Sequence, residues 1–109
     1  MRRLKPIQVG SVEPYSGDMR RWYAANNLPF GPITAEVTDG KGIVEISDLG
    51  FGAGQWSLNV TAKKSGRAIV TVTGAVPNRE AARKFSFLIE VENKAKLQHR
   101  QSYGLTDYG

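Results

Sequence analysis

Hydrophobic and polar residues alternate along most of the chain from Ile33 onward, in segments separated by Gly, Asp, Asn or Pro. The clearest segment covers residues 55–62, in which Trp56, Leu58 and Val60 share one face and polar side chains occupy the other. A period of two residues is typical of antiparallel strands that bury one face. The pattern therefore predicts β-strands, and not helices, for this part of the chain.

Four further segments show the same alternation, and they cover residues 33–37, 42–48, 67–73 and 84–92. The turn-forming cluster 38–42 predicts a hairpin between the first two, because glycine adopts positive φ without strain. Residues 74–83 predict a polar loop with one helical turn near Glu80–Ala82. The inward positions predict a core that includes Trp56, Leu58, Val60, Val70, Val72, Phe85, Phe87, Ile89 and Val91.

The first thirty residues are interrupted by prolines and carry scattered apolar residues. They allow one strand near residues 7–12 and a second near 21–25, joined by a turn at Pro14–Asp18. The total is about seven short antiparallel strands with turn signals roughly every 8–12 residues. This spacing predicts an all-β fold, either a β-sandwich or a small barrel.

The chain has 109 residues, of which 40% are hydrophobic and 23% are charged. This size and composition fit one small folded domain. The absence of cysteine excludes a disulfide framework, a thiolate metal site and a cysteine nucleophile. The apolar runs are far shorter than the roughly 20 residues of a membrane-spanning helix, and no apolar signal-peptide region follows Arg3. We therefore expect neither a membrane span nor export by a signal peptide.

The net charge of +5 lies at the two ends of the chain, because residues 7–93 carry nine basic and nine acidic residues. This distribution predicts a neutral domain (7–93) between a basic N-terminal arm (1–6) and a basic C-terminal arm (94–109) that dock on an acidic surface. The alternative is that the basic ends serve solubility alone. The candidate docking residues are Arg2, Arg3, Lys5, Lys94, Lys96, Arg100, Tyr103 and Tyr108.

Groups that carry catalysis or bind metals are scarce. The single histidine, His99, lies in the polar tail, and Asp39 and Asp48 are interpreted as turn-forming residues. The glycine-rich segment 50–54 precedes a strand, whereas a phosphate-binding loop precedes a helix. Its Phe51 is either an exposed loop contact or a lid on the core. The sequence predicts no catalytic residue, no cofactor and no bound metal.

The segment Arg20–Tyr23 places two arginines beside two aromatic residues. These are the ingredients of a platform on which single-stranded nucleic acid stacks. The N-terminal half is poor in apolar residues, so its core needs the volume of Trp22 or Tyr23. We therefore expect the rings to pack in the core, and nucleic-acid binding is not the favoured interpretation.

Residues 61–73 form a predicted strand that leads through a glycine turn into an alternating strand, and they resemble the C-terminal signature of bacterial immunoglobulin-like domains. The pattern Phe85-x-Phe87-x-Ile89-x-Val91 is similar to the closing strands of that family and of its cadherin-like relatives. The resemblance implies an immunoglobulin-like β-sandwich with extended termini. Because the cysteine pair of antibody domains and the acidic linker motifs of calcium-binding cadherins are absent, it implies neither a disulfide nor a calcium site.

Small single-domain proteins that resemble this family occur in tailed-bacteriophage particles, as capsid decoration proteins or tail components. The resemblance therefore implies a non-enzymatic structural protein of a virion, whose partners are other virion proteins such as the major capsid protein, or further copies of the chain. Two alternatives stay open. One is a cell-surface adhesion or carbohydrate-binding module cut from a longer protein, and the other is a small nucleic-acid-binding barrel whose affinity falls steeply with salt.

Overall fold

The computed structural model describes residues 2–93, which form eight strands and one short helix. In chain order these are β1 (Arg2–Arg3), β2 (Ile7–Gln8), β3 (Val12–Asp18), α1 (Arg20–Ala25), β4 (Ile33–Asp39), β5 (Val44–Gly52), β6 (Gln55–Ala62), β7 (Gly66–Ala75) and β8 (Ala82–Glu92). Sheet 1 has the order β1-β8-β7-β4, with β2 also on β8, and sheet 2 has the order β3-β6-β5. The predicted all-β class is confirmed, while the immunoglobulin-like topology stays a prediction.

The core consists mainly of every second side chain along β6, β7 and β8. The remaining core residues are Ile7, Met19, Tyr23, Ile33, Val44 and Val76. Eight of the nine predicted core residues are buried, which confirms the inward faces assigned to these three strands. The prediction for Phe85 is wrong, because 36% of this residue is exposed. Phe85 shares a face with the buried Phe87, but it lies at the mouth of a cleft between the sheets.

The predicted hairpin between the strands now numbered β4 and β5 is also wrong. β4 pairs with β7 in sheet 1, whereas β5 pairs with β6 in sheet 2, so the chain crosses between the sheets at this turn. Gly40 has a φ of +74°, and a side chain there would collide with the carbonyl oxygen of Arg67. The carboxylate of Asp39 accepts a hydrogen bond from the Gly40 N–H at 2.9 Å, which fixes the crossing.

The first thirty residues differ most from the prediction. Of the first predicted strand, Ile7–Gln8 forms β2 and Val12 already belongs to β3, with a turn between them. The predicted turn at Pro14–Asp18 lies inside β3, which pairs with β6. Pro14 is tolerated because β3 is an edge strand with a neighbour on one side only. The second predicted strand, at residues 21–25, is the helix α1.

Local hydrogen bonds explain why α1 is a helix. The Asp18 carboxylate accepts the Arg20 backbone N–H at 2.9 Å and so satisfies one free donor at the helix start. At the other end Asn27 adopts a φ of +52°, and the Leu28 N–H donates to the Tyr23 carbonyl at 2.9 Å. This is the Schellman arrangement that commonly ends helices.

The expected N-terminal arm, residues 1–6, is part of the sheet over the residues that the structure describes. Arg2 and Arg3 pair in parallel with Phe87 and Leu88, and the Leu4 N–H donates to the Leu88 carbonyl at 3.2 Å. β2 pairs in parallel with the last two residues of β8. The strand pairing is therefore not wholly antiparallel, and these residues do not extend away from the domain.

The predicted helical turn near Glu80–Ala82 does not form. β7 ends at Ala75 and β8 already begins at Ala82, so only residues 76–81 connect the two strands. The register between β7 and β8 is continuous from Gly66↔Val91 to Ala75↔Ala82, without a bulge. The pair therefore forms a long, regular ribbon in the middle of sheet 1.

Replacing Tyr23 with phenylalanine tests how α1 is fixed to sheet 1. Tyr23 is fully buried, and its hydroxyl donates to the Ala75 carbonyl at 2.7 Å. Because Tyr23→Phe leaves that carbonyl without its partner, we expect the free energy of unfolding to fall by about 1–2 kcal/mol in urea denaturation. The control is Tyr15→Phe, at a half-buried tyrosine whose hydroxyl has no hydrogen bond within residues 2–93, where we expect a change under ~0.5 kcal/mol. Equal losses in both variants would contradict the role of this hydrogen bond.

Candidate binding groove

A cleft of about 670 Å³ opens between sheet 1 and sheet 2 and is called the edge groove here. On one side lie β1 and the first half of β8, on the other lies β3, and α1 adds part of the wall. The lining residues are Arg2, Leu4, Tyr15, Ser16, Gly17, Asp18, Met19, Arg21, Trp22, Ala25, Trp56, Arg83, Phe85 and Phe87. Elements from both ends of the described chain therefore meet at one site.

The floor of the edge groove is a cluster of aromatic rings centred on Phe87. The Phe87 ring lies 5.5 Å from Tyr15, 5.9 Å from Phe85 and 6.4 Å from Trp56, measured between ring centroids. The ring planes of Trp56 and Phe87 are almost parallel, with an interplanar angle of 7°. Both of these residues are buried, whereas Tyr15 is half-buried and Phe85 more exposed. The groove thus grades from a buried floor to an accessible aromatic mouth.

Gly17 makes room for the indole of Trp56. A Cβ atom at position 17 would lie 2.6 Å from three atoms of the indole ring, well inside van der Waals contact. β3 and β6 pair at this point, with Gly17 opposite Trp56. The missing side chain of Gly17 therefore lets Trp56 lie beneath the β3 backbone and form part of the floor.

The rim of the edge groove is basic. Arg2, Arg21 and Arg83 line it, and neither Arg2 nor Arg83 forms an ion pair with any residue from 2 to 93. Asp18 is the one acidic residue among the lining residues, and its carboxylate binds the Arg20 guanidinium at 2.7 Å. The rim therefore presents uncompensated positive charge beside an aromatic floor.

Two pKa shifts reflect this environment. The hydrogen bonds from Arg20 hold the pKa of the Asp18 carboxyl below its usual value, with a smaller electrostatic contribution from Arg21. Burial raises the pKa of the Tyr15 hydroxyl, and the charge of Glu13 adds to the increase. At neutral pH, Asp18 is therefore ionised and Tyr15 is neutral, so Asp18 has no proton to give to a ligand.

The predicted docking residues are separated by the structure. Arg2 lines the edge groove, Arg3 lies 3.8 Å from Glu90 on the outer surface, and Lys5 is exposed. The remaining predicted docking residues lie outside the described residues; they are Lys94, Lys96, Arg100, Tyr103 and Tyr108. Of the three predicted docking residues that the structure describes, Arg2 alone lines the groove.

Phe51 lies near the end of β5, beside the hairpin turn that leads to β6. β5 and β6 are joined by Ala53 and Gly54, both at positive φ, as a two-residue type I′ turn requires. Phe51 is 53% exposed, so of the two alternatives the structure has the exposed one. A shallow cleft of about 270 Å³ lies beside it. A contact made by Phe51 stays a prediction.

Asp39 has the turn role expected from the sequence, whereas Asp48 lies inside β5 and not in a turn. Asp39 binds the Gly40 N–H, and Asp48 accepts a hydrogen bond from the Asn59 side chain at 3.0 Å where β5 shifts register. Within residues 2–93, no group of three or more His, Cys, Asp or Glu side chains is placed to hold a metal ion. No helix in this part of the chain is long and apolar enough to cross a bilayer.

The sequence pointed to some of the residues that line the edge groove, but not to their proximity in the folded chain. The run Arg20–Tyr23 was recognised as basic and aromatic, yet only Arg21 and Trp22 of this run reach the groove. Tyr15 and Arg83 were missed. Tyr15 could have been found as a tyrosine inside an alternating segment. Arg83 could have been found because it lies two residues before Phe85, on the same face of β8.

No protein-family model matches the sequence, and no curated protein matches it. Among solved structures, the fold is similar to part of an endo-fucoidan hydrolase from glycoside hydrolase family 107, with a TM-score of 0.48 and 16% identity. That match covers 84% of this chain but 12% of the hydrolase chain, so this chain spans a small fraction of that protein. The solution structure of amebosin matches with a TM-score of 0.45 and 14% identity, over 83% of this chain and 88% of that chain.

Proposed function

We propose that this chain is a non-enzymatic structural protein of a bacteriophage virion that binds neighbouring protein subunits. The observation that carries protein binding is the edge groove, which combines an accessible aromatic mouth with arginines that lack acidic partners. Aromatic residues and arginine are the side chains most enriched in protein interfaces. The virion setting rests on the resemblance of the sequence to immunoglobulin-like proteins of phage particles.

The chemistry of the edge groove supports binding over catalysis. General acid–base work needs a side chain with a pKa near the working pH and a free position facing the substrate. The one carboxylate among the described lining residues is Asp18, which has a lowered pKa and is held by Arg20. The other polar side chains of the lining are arginine, serine and tyrosine, which recognise partners more readily than they transform them.

The direct test of this function is mass spectrometry of virus particles purified from the source of the sequence. We expect the chain at a fixed ratio to the capsid or tail protein. Particles that contain no copy of the chain would contradict the virion setting.

Deleting residues 94–109 tests whether the basic C-terminal arm carries docking. All strand pairs described within residues 2–93 remain in place, because β8 ends at Glu92. We therefore expect the melting temperature to change by only about a few degrees, while incorporation into particles falls at least tenfold. Normal incorporation of the truncated chain would contradict docking through this arm.

Two full-length variants separate charge from aromatic contact within this arm. The first is Lys94→Gln/Lys96→Gln/Arg100→Gln, which removes three positive charges. The second is Tyr103→Ser/Tyr108→Ser, which removes two rings and keeps the charge. We expect the first variant to associate more slowly with the neighbouring virion subunit, because opposite charges speed the encounter of two proteins. We expect the second variant to dissociate faster from that subunit, because buried aromatic rings hold a complex together.

A carbohydrate-binding module is the second candidate, and the half-buried Trp22 and the exposed Phe85 at the groove mouth favour it. Nucleic-acid binding is less well supported, because Tyr23 is fully buried and Arg20 is held by Asp18. Two of the four residues of the proposed stacking platform are therefore engaged elsewhere. A heparin fragment and an oligothymidine, used as probes below, distinguish both candidates from protein binding.

A further inference from the structure

We propose that the edge groove binds an extended, acidic segment of a partner protein, which adds as a strand along residues 82–86 of β8. The proposal rests on the proposed function, since it gives protein binding a site and a partner chemistry. It places that site on the sandwich, separate from the C-terminal arm. Its two supports are an unpaired strand edge and the charge of the groove rim.

The unpaired edge is the first half of β8. β8 spans Ala82–Glu92, and on its outer side β1 pairs with Phe87 and Leu88 while β2 pairs with Val91 and Glu92. Among residues 2–93, the segment 82–86 pairs with β7 alone. This edge already accepts two short strands in parallel, and a third fits ahead of them in the same line.

The direction of the main-chain groups follows from the neighbouring hydrogen bonds. The carbonyls of Leu88 and Glu92 accept the N–H groups of Leu4 and Val9, at 3.2 and 3.0 Å, so even-numbered residues of β8 face the outer edge. The register of β8 has no bulge back to Ala82. The N–H and C=O groups of Lys84 and the N–H of Ser86 therefore face the open edge, as strand addition requires, whereas the Ser86 carbonyl lies where the parallel pairing of β1 places the Arg2 N–H.

The side chains beside this edge define what the added strand presents inward. Phe85 and Phe87 lie on the groove face of β8 in alternate positions, and Arg83 continues the same row at one end. Arg2 pairs with Phe87 and lines the groove at the other end. The row is thus aromatic in the middle and basic at both ends. Apolar side chains flanked by acidic ones complement it.

The charge argues against one candidate, the chain's own C-terminal arm. Residues 94–109 carry three basic residues and one acidic residue, so the arm and the groove rim repel each other. An outside acidic partner is therefore favoured. A peptide is favoured over a polysaccharide or a nucleic acid, because only a peptide backbone supplies alternating N–H and C=O groups at the spacing of β8.

The test uses the full chain and a labelled peptide with blocked ends, Glu-Thr-Phe-Thr-Leu-Thr-Glu, in fluorescence polarisation. Its alternate positions reproduce the acidic, apolar, apolar and acidic order that the groove row requires. We expect saturable binding of this peptide. We expect at least tenfold weaker binding of a counterpart in which both glutamates are lysine. Two further peptides, each N-methylated at alternate amides along one of its two edges, test main-chain pairing. We expect one of these two peptides to bind at least tenfold more weakly than the unmethylated peptide.

Variants of the chain provide the matched controls. Lys84→Pro removes an N–H that faces the open edge without removing a hydrogen bond to β7, and Lys84→Ala removes the same charge but keeps the N–H. We expect Lys84→Pro to bind at least tenfold more weakly than Lys84→Ala. Arg2→Glu/Arg83→Glu should abolish binding of the acidic peptide, whereas Lys41→Glu/Lys64→Glu, the same change of charge at exposed residues outside the groove, should leave it within about twofold.

Several results would overturn the proposal. These are no binding of the acidic peptide, equal binding by the Lys84→Pro and Lys84→Ala variants, or tighter binding of a heparin fragment or an oligothymidine than of the peptide. Thermal unfolding of each variant separates lost binding from lost folding. If the peptide fails while the chain is present in particles, the groove proposal is wrong and the virion function stands; the reverse pair of results removes the virion setting alone.

Discussion

Replacing Phe87 with alanine is expected to lower the free energy of unfolding by about 3–5 kcal/mol, enough to remove much of the stability of a domain this small. Phe87 is 1% exposed and its ring contacts the rings of Tyr15, Trp56 and Phe85. Its loss would leave a cavity in the aromatic cluster between the two sheets. Chemical denaturation followed by tryptophan fluorescence measures the change.

Phe85→Ala is the matched control, since it removes the same ring two residues away on the same face of β8. Phe85 is 36% exposed, so less apolar surface leaves water when the chain folds. We expect a loss of about 1 kcal/mol in this variant. Equal losses at the two positions would contradict the assignment of Phe87 to the floor and Phe85 to the mouth of the edge groove.

Gly17→Ala is expected to have the second largest effect, a loss of about 3 kcal/mol, at the upper end of the usual cost of overpacking. The added Cβ would lie 2.6 Å from the Trp56 indole. The indole cannot move away without disturbing its stacking on Phe87. We therefore expect both a lower melting temperature and a red-shifted tryptophan emission, as water reaches the ring.

Ser16→Ala is the control for this substitution, because Ser16 lies next to Gly17 in β3 and is exposed. We expect its stability to stay within ~0.5 kcal/mol of the unchanged chain. If Gly17→Ala were equally mild, β3 would have to be free to move away from β6, and the groove floor would not be fixed by this contact.

The strands of the second half of the chain were predictable because each buries one face along much of its length. In β6 the residues Trp56, Leu58 and Val60 are all buried, and the intervening residues are not. A period of two residues then identifies both the strand and its inward side. The same reasoning found β7 and most of β8, and it failed at Phe85, where the opposite sheet no longer covers the face.

The partners of the strands were less predictable than the strands themselves. β4 and β5 follow each other with a glycine turn between them, a pattern that favours a hairpin. Their assignment to different sheets depends on how Gly40 packs against the backbone of Arg67, a contact 27 residues away that no local pattern contains. Adjacent strands in sequence therefore do not have to be adjacent in a sheet.

The helix α1 was missed for a local reason. The sequence Arg20–Ala25 has the alternating bulky residues of a strand, but the carboxylate of Asp18 satisfies a free N–H at the helix start, and Asn27 adopts the positive φ that ends the helix. Both signals were present in the sequence. The aromatic and basic chemistry of the groove was visible too, whereas the pairing of Arg2 with Phe87 across 85 positions was not.

The parallel pairing of β1 and β2 with β8 has a mechanical consequence. When the two ends of the described chain are pulled apart, the force runs along these strands in opposite directions and loads their hydrogen bonds in shear. Bonds loaded in shear, among them those from Leu4 to Leu88 and from Val9 to Glu92, share the tension and must break together. An antiparallel pair in the same place would be pulled open from one end, one bond at a time. We therefore expect these bonds to resist together a force applied between residues 2 and 93, before the sheet opens.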